Sequence, residues 1–144
     1  MAEAAAKQGD RIVSDGTSQV WVQPPGPVNP IAVPFSYDGS LDSHLTSDVL
    51  IMGKPAAVVG STAENGMPPA QQPAVIAAGS ILSTVDNTST ISVGSSSVLI
   101  HGESAARNGD QAKTWDYRTP PSPGVGKEVA NARVSASGSV IIGN

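Results

Sequence analysis

Short runs of alternating apolar and polar residues, separated by glycine, are the dominant pattern of this chain. The segments VLIMG at residues 49–53 and VLIHG at residues 98–102 both place three aliphatic residues before a glycine. Successive side chains of a β-strand point to opposite faces, so Val49 and Ile51 are predicted to face one way and Leu50 the other. Glycine adopts the backbone angles of the tight turns that short strands need. The pattern predicts many short strands.

The strand and its glycine form the first half of a longer repeat. Two alanines and a Gly-Ser or Gly-Asp pair follow, and the two full copies are offset by 49 residues (98 minus 49). Residues 5–10, AAKQGD, match only the second half, and residues 140–143, VIIG, match only the first. Self-similarity of this kind indicates a repeat architecture. Joining the chain ends completes a third copy, which predicts adjacent termini and pseudo-threefold symmetry. The motif positions are Ala5, Ala6, Gly9, Asp10, Pro55, Ala56, Ala57, Gly60, Ala105, Ala106, Arg107, Gly109 and Asp110.

Proline-rich segments separate the repeats, at residues 22–34, 64–74 and 118–126. Proline fixes φ and lacks an amide hydrogen, so these segments are predicted to be extended loops without helix. Residues 75–100 are predicted to form hairpins, with turns at Asp86-Asn87 and Gly94-Ser95. The resulting expectation is one all-β domain over residues 1–144, with long Pro/Gly loops and little helix.

Composition narrows the function classes. The 144 residues include 15 Gly and 12 Pro but only 3% aromatic residues, which indicates short strands around a thin core. With a net charge of −4, the chain lacks the excess of basic residues by which nucleic-acid-binding proteins contact phosphates. The absence of cysteine excludes disulfides and thiolate metal sites. No signal peptide or membrane-spanning apolar run is present, so we expect synthesis in the cytoplasm and any export by another route.

The side chains able to carry chemistry favour a structural protein over an enzyme. Asp10 and Asp110 fall in equivalent Gly-Asp turns, where a short carboxylate accepts hydrogen bonds from nearby backbone amides. The sequence contains no nucleophile elbow and no phosphate-binding loop. Trp21, Trp115 and Tyr117 either fill gaps in a small core or stack on a sugar or base, and core filling is favoured.

The segments PAAVVGS, SAARNGD and AAKQGD, which begin at Pro55, Ser104 and Ala5, resemble the Pro-Ala-Ala-Arg (PAAR) repeat family. The resemblance covers essentially the whole chain and implies a small conical β-structure. It implies a tip that caps the trimeric spike of a contractile injection system and sharpens it for membrane puncture. Extracellular phage-tail-like particles and type VI secretion both remain open.

The resemblance also implies partners and a location. The expected partner is a trimeric spike protein of the VgrG type or its phage counterpart, with one tip per trimer. Effector cargo and the target-cell membrane are further expected contacts, and nucleic acid is not. The expected location is the tip of an assembled particle that is delivered to or through the target-cell envelope.

Six aliphatic residues of the three short strands are the candidate contacts with the spike. They are Val49, Ile51, Val98, Ile100, Val140 and Ile142. Three similar apolar edges around one axis suit the extension of a threefold spike by strand addition. The alternative is that these side chains form the core of the tip itself, and the sequence leaves both open.

Metal binding is a point of departure from the family, whose members commonly hold zinc near the apex through three His and one Cys. This chain has no Cys, and its only histidines are His44 and His101. Trp115 and Ala70 stand where related sequences often carry Cys and His. Zinc sites are four-coordinate, so we expect no family-type zinc site and no cofactor. If a metal binds, His44 and His101 are the candidate ligands.

A second function of a different class also fits the sequence. A freestanding secreted β-domain that binds a glycan or a cell-surface protein would share the composition and the absence of catalytic groups. Copurification distinguishes the two functions, because a spike tip copurifies with its spike at one copy per three spike subunits.

Overall fold

A computed structural model describes residues 2–82, 85–117 and 126–144 of the chain. It confirms an all-β fold with little helix: fifteen short strands lie in these residues, with one 3₁₀ helix (Pro69–Gln71) and one α-helix, α1 (Pro73–Ala78). The strands are β1 (Glu3–Ala4), β2 (Arg11–Ser14), β3 (Ser18–Gln23), β4 (Ile31–Phe35), β5 (Asp38–Ser43), β6 (Leu50–Ile51), β7 (Lys54–Pro55), β8 (Thr62–Asn65), β9 (Ser80–Ile81), β10 (Thr88–Ile91), β11 (Leu99–Ile100), β12 (Glu103–Ser104), β13 (Gln111–Asp116), β14 (Lys127–Ser135) and β15 (Ile141–Ile142). No helix in the described residues is long and apolar enough to cross a membrane.

Six antiparallel strands form a closed barrel in the order β10-β13-β14-β2-β5-β8. Each repeat supplies one strand directly after its Gly-Asp or Gly-Ser turn (β2, β8, β13) and one that returns to pair with it (β5, β10, β14). Barrel diameter grows with strand number, so six strands leave a narrow interior that suits small and aliphatic side chains. The buried residues of this core are Ala6, Ile12, Leu41, Ala57, Ala63, Ile91, Ala106, Ala112, Ala132 and Val134.

Three alanines close a hydrogen-bonded ring around the pseudo-threefold axis. The N–H of Ala6 donates to the carbonyl of Ala106 (2.9 Å), that of Ala106 to Ala57 (3.0 Å), and that of Ala57 to Ala6 (3.0 Å). The three residues are at most 1% exposed. Backbones that approach this closely leave room for a methyl group only, which explains the alanine at this position of every repeat.

The chain ends pair with each other and complete the split repeat. In chain order this is the first repeat, residues 49–61 belong to the second and residues 98–110 to the third. Strand β1 pairs with β15 in the register Ala4↔Ile141, which matches Leu50↔Pro55 in β6–β7 and Leu99↔Ser104 in β11–β12. The predictions of adjacent termini and of pseudo-threefold symmetry are therefore confirmed.

Insertions between the paired barrel strands build a lobe at the barrel end opposite the short hairpins. They span residues 15–37, 66–87 and 117–126. We call their described part the insertion lobe; it contains the three-stranded sheet β4-β3-β9 and helix α1. Its core is a second cluster of buried side chains: Val20, Val22, Val33, Phe35, Tyr37, Val75 and Tyr117.

The predicted extended, helix-free conformation is confirmed for residues 22–34 but is wrong for residues 64–74. Residues 22–34 include the end of β3 and the start of β4, which pair as a hairpin. Residues 64–74 include the 3₁₀ helix and the start of α1. Pro69 and Pro73 open these helices, at a position where a backbone N–H would have no intrahelical partner, so its absence from proline costs nothing and the fixed φ suits the helix. The third segment lies outside the described residues except for Gly126.

The hairpins predicted within residues 75–100 are also wrong. The first residues of that segment belong to α1, β9 pairs with β3, and β10 pairs with β8 and β13. The carboxylate of Asp86 accepts the N–H of Thr88 (2.8 Å), so a turn does form there, but it leads into the barrel. Gly94-Ser95 lies in the connection between β10 and β11, which do not pair with each other. Long-range pairing in the barrel takes precedence over local pairing.

Candidate docking face and metal site

Three two-stranded elements surround one end of the alanine ring: β6–β7, β11–β12 and β1–β15. We call this end of the molecule the hairpin face. Each element exposes one aliphatic side chain at the same place: Leu50 is 57% exposed, Leu99 60% and Ile141 57%. Met52 (56%) and Val140 (40%) extend the apolar area. Scattered exposed apolar residues are ordinary, but a patch that repeats around an axis indicates an interaction surface.

Most of the six predicted contact residues pack beneath the hairpin face. Ile51 and Ile142 are buried in a third core cluster with Ala5, Ala56 and Ala105. Val49, Val98 and Ile100 are partly buried against that cluster, and Val140 is exposed.

All of these side chains except that of Val140 therefore have a core role, which the sequence left open. Contact of the six residues with a spike stays a prediction. The outward residues Leu50, Leu99 and Ile141 are their neighbours on the same strands. Period-two alternation revealed two faces of each strand but not which of them is turned inward.

The Gly-Asp turns of the motif are built around carboxylates. Asp110 accepts the backbone N–H of Arg107 (2.8 Å) and its guanidinium (2.9 Å). Asp10 accepts the backbone N–H of Lys7 and its ammonium group, each at 3.0 Å. The hydrogen bond to Asp110 raises the pKa of Arg107. These contacts confirm a structural role for both carboxylates.

The second repeat replaces this ion pair by a hydroxyl. The Oγ of Ser61 accepts the N–H of Val58 (3.0 Å), as the carboxylates do in the other two repeats. The same hydroxyl donates to the carbonyl of His44 (2.7 Å). The turn therefore needs an acceptor at this position but does not need a charge.

The two ion pairs also hold the C-terminal segment. The ammonium group of Lys7 donates to the carbonyl of Ser137 (2.7 Å), and the guanidinium of Arg107 donates to that of Gly143 (3.2 Å). The hydroxyl of Ser95 donates to the same Gly143 carbonyl (2.8 Å). Side chains from outside β1 and β15 therefore reinforce the third hairpin.

Neighbouring hairpins touch through their turns. Nε2 of His101 lies 2.6 Å from Oδ1 of Asp48, and this hydrogen bond lowers the pKa of Asp48. The equivalent turn residue, Met52, accepts a weak hydrogen bond from Ser139 (3.9 Å, at sulfur). Met52 and His101 share a φ of 52°, and a glycine follows each, so both turns have the same left-handed geometry.

The aromatic residues lie in the insertion lobe and its border with the barrel. Tyr117 is 2% exposed within the second core cluster, and Trp115 packs against that cluster. This confirms the predicted core role of these two residues, and a buried Tyr117 ring is not available to stack on a sugar. Phe35 and Tyr37 lie 5.4 Å apart between ring centroids, at an angle of 49°.

A comparison with protein-family models matches residues 22–114 to the PAAR motif. This chain belongs to the PAAR-motif family. The matched part includes two of the three hairpins and two members of the alanine ring, Ala57 and Ala106. PAAR proteins form a small β-cone and are known as structural spike tips of contractile injection systems. No curated protein and no solved structure matches the chain.

The zinc site implied by the PAAR family does not fit the residues of this chain. It has no cysteine, and in the part that the structure describes no three His, Asp or Glu side chains come together as a metal site. His101 forms a hydrogen bond with Asp48 at the hairpin face, and the backbone carbonyl of His44 accepts a hydrogen bond from Ser61 beside the alanine ring. Both histidines therefore lie at the end away from the insertion lobe. The expectation of no zinc stays a prediction, which elemental analysis of the purified protein tests.

Proposed function

We propose that this PAAR protein is the structural tip of a contractile injection system, seated by its hairpin face on the end of a trimeric spike. The observation that carries the proposal is the threefold repetition of Leu50, Leu99 and Ile141 on one chain, all 57–60% exposed. A homotrimer presents the same surface three times around its axis. A single chain can match all three copies only if its own surface repeats in the same way.

The chemistry of the face supports a stable docked complex. Burying a fully exposed Leu or Ile side chain contributes about 1.5–3 kcal/mol, and these three are a little more than half exposed. Each therefore offers roughly 1–2 kcal/mol on docking. We also expect the three two-stranded elements to extend the β-structure of the spike by strand addition.

In this arrangement the insertion lobe points away from the spike and forms the apex. We take residues 1–144 as one tip domain, because the pairing of β1 with β15 joins both ends of the chain in one hairpin. The proposed location is the tip of an assembled particle, either extracellular or of the type VI class. The proposed role is mechanical rather than enzymatic, in membrane puncture and in carrying effector cargo.

The test is capture of the spike by full-length variants. Leu99→Glu places a charge at the centre of one apolar contact and is expected to lower spike capture at least tenfold without changing the melting temperature. Ile76→Glu is the matched control, because Ile76 is 59% exposed on α1 in the insertion lobe.

A Leu99→Glu variant that still copurifies at one copy per three spike subunits would refute the hairpin face as the docking surface. Failure of the wild-type protein to copurify with any spike, combined with retention on glycans or cell-surface proteins, would favour the freestanding binding domain.

A further inference from the structure

One residue from each of the three insertions meets at a single point of the insertion lobe. Tyr37 ends the first insertion, Asp86 lies near the end of the second, and Tyr117 begins the third. The hydroxyl of Tyr37 donates to the carbonyl of Asp86 (2.5 Å). The N–H of Asp86 in turn donates to the hydroxyl of Tyr117. The backbone carbonyl and N–H of Asp86 are therefore both hydrogen-bonded to side chains from the other two insertions.

The contact is buried, which gives each hydrogen bond a large effect. Tyr37 and Tyr117 are 1% and 2% exposed. A buried N–H or carbonyl left without a partner loses its hydration and destabilises the folded state. Burial also raises the pKa of both phenols, so Tyr37 keeps the proton that it donates, and Tyr117 stays neutral while it accepts the Asp86 N–H.

Each member of the contact is fixed to a different part of the fold. The N–H of Tyr37 donates to the hydroxyl of Ser14 at the end of β2 (2.7 Å). The N–H of Tyr117 donates to the carbonyl of Gln19 in β3 (2.8 Å). The Asp86 carboxylate accepts the N–H of Thr88 at the start of β10 (2.8 Å). The three groups are held in place before they meet, so little conformational entropy is lost in joining them.

We propose that this tyrosine clasp, formed by Tyr37, Asp86 and Tyr117, closes the insertion lobe and makes its closure independent of a bound metal. A structural metal joins separate loops by taking ligands from several of them. The clasp joins the insertions in the same way, through two tyrosine hydroxyls and the backbone of Asp86. It lies at the end of the molecule for which the family implies zinc and where this chain carries Trp115 and Ala70.

Hydrogen exchange of the full-length protein tests the clasp at one atom. Tyr117→Phe keeps the ring but removes the acceptor of the Asp86 N–H, so exchange at this amide is expected to accelerate at least tenfold. Tyr37→Phe is expected to accelerate exchange at Asp86 and Tyr117 through loosening of the lobe. The amides of Leu41 and Ile91, which donate within the barrel, are expected to keep their wild-type rates.

Ser89→Ala is the matched control, because Ser89 is 1% exposed and its hydroxyl donates to Ala63 within the barrel (3.2 Å). It removes a buried hydroxyl without touching the clasp and is expected to leave Asp86 exchange unchanged. In the wild-type protein, neither EDTA nor added zinc is expected to change Asp86 exchange or the melting temperature.

Two results would overturn the proposal. The first is Asp86 exchange within twofold of wild type in both phenylalanine variants, and the second is a melting temperature that EDTA lowers. If a variant loses the barrel as well, absorbance titration of the wild-type phenols decides. Ionisation only together with unfolding supports the clasp, whereas ionisation near pH 10 in the folded protein contradicts it.

Discussion

At the scale of single residues, the alanine ring is the tightest packing constraint in the barrel. Ala6, Ala57 and Ala106 exchange backbone hydrogen bonds around the axis and are almost fully buried. An added methyl group at any of them must displace a neighbouring backbone. The motif therefore specifies small volume more strictly than it specifies charge, since Val58 and Ser61 replace the ion pair in the second repeat.

We expect Ala57→Val to lower the free energy of unfolding by about 1–3 kcal/mol, the usual cost of overpacking a well-packed core. Urea denaturation measures the change. Ala130→Val is the matched control, because Ala130 is exposed on β14 and exposed substitutions usually change stability by less than about 0.5 kcal/mol. Equal effects of the two substitutions would contradict the packing role of the ring.

The clasped tyrosines predict a loss of stability at high pH. Burial raises the pKa of Tyr37 first of all, helped by the nearby Tyr117, Asp86 and Asp116, and burial also raises the pKa of Tyr117. Above the ordinary phenol pKa of about 10, the unfolded chain has lost protons that the folded chain still holds. Their contribution to stability is therefore complete below about pH 10 and declines as the pH rises further.

Urea unfolding between about pH 8 and 11 measures this decline. The double variant Tyr37→Phe/Tyr117→Phe is expected to lose less stability over that range, because phenylalanine does not titrate. All other side chains are the same in both proteins, so their contributions cancel in the comparison. Parallel pH profiles for the wild type and the double variant would show that the phenols do not couple to folding.

At the scale of elements, the Lys7–Asp10 and Arg107–Asp110 ion pairs also bind the C-terminal segment around β15. Arg107 and Lys7 contact the carbonyls of Gly143 and Ser137 as well as their own carboxylates. The third hairpin therefore depends on side chains from the first and third repeats. The equivalent hairpins β6–β7 and β11–β12 are each closed by a tight turn instead.

The second repeat suggests a substitution that tests this role. Asp110→Ser keeps an acceptor for the Arg107 N–H but removes the carboxylate from a largely buried guanidinium, and we expect it to cost about 1.5–3 kcal/mol. Adding Arg107→Val reproduces the Val58/Ser61 arrangement and is expected to recover part of that loss. Urea denaturation of both variants measures the coupling, and strictly additive losses would contradict it.

Exchange at the third hairpin gives a second measurement on the same variants. The N–H of Ala5, which donates to Val140, is expected to exchange faster in both, because both lack the guanidinium–carboxylate pair near the C-terminal strand. Unchanged exchange would mean that the Arg107–Asp110 pair does not help to hold β15.

Repetition made part of the fold predictable from the sequence. The match of residues 5–10 to residues 105–110 predicted the pairing of the chain ends, because the split repeat could be completed in no other way. The insertions do not repeat, and the prolines of residues 64–74 gave a misleading signal. Pro69 and Pro73 open helices, and residues 22–34 form a hairpin whose pairing depends on neighbours in the lobe.

The candidate sites were predictable only in outline. The alternation of Leu50 with Val49 and Ile51 is visible in the sequence, but its inward side is set by packing against alanines of all three repeats. The tyrosine clasp left no local signal, because Tyr37, Asp86 and Tyr117 are joined only when three separate insertions converge. Contacts of that kind depend on topology rather than on a motif.

At the scale of the whole molecule, the structure is organised along one axis: hairpin face, alanine ring, barrel and insertion lobe. The predicted spike contacts differ in solvent exposure, so substitutions of an exposed and a buried member distinguish docking from core packing. Val140→Asp changes a 40% exposed residue of the hairpin face and is expected to lower spike capture with the fold intact. Ile142→Asp changes an 8% exposed residue of the third core cluster and is expected to lower the melting temperature as well.

Spike capture and thermal unfolding of the two variants separate docking from core packing. Wild-type capture by a folded Val140→Asp variant would remove that residue from the docking surface. Unchanged stability of Ile142→Asp would contradict its place in the core.

The near equivalence of Leu50, Leu99 and Ile141 has a consequence for assembly. On a true threefold partner, the tip can be rotated by a third of a turn and meet the same three aliphatic contacts. Three seatings of equal energy add a configurational entropy of R ln 3, which stabilises the complex by RT ln 3, about 0.65 kcal/mol. The turns do differ, since one carries Met52 and another His101 beside Asp48. If these differences are small, each tip in a population of particles takes one of three orientations about the particle axis at random. Cargo fixed to one side of the apex then has no preferred orientation relative to the particle.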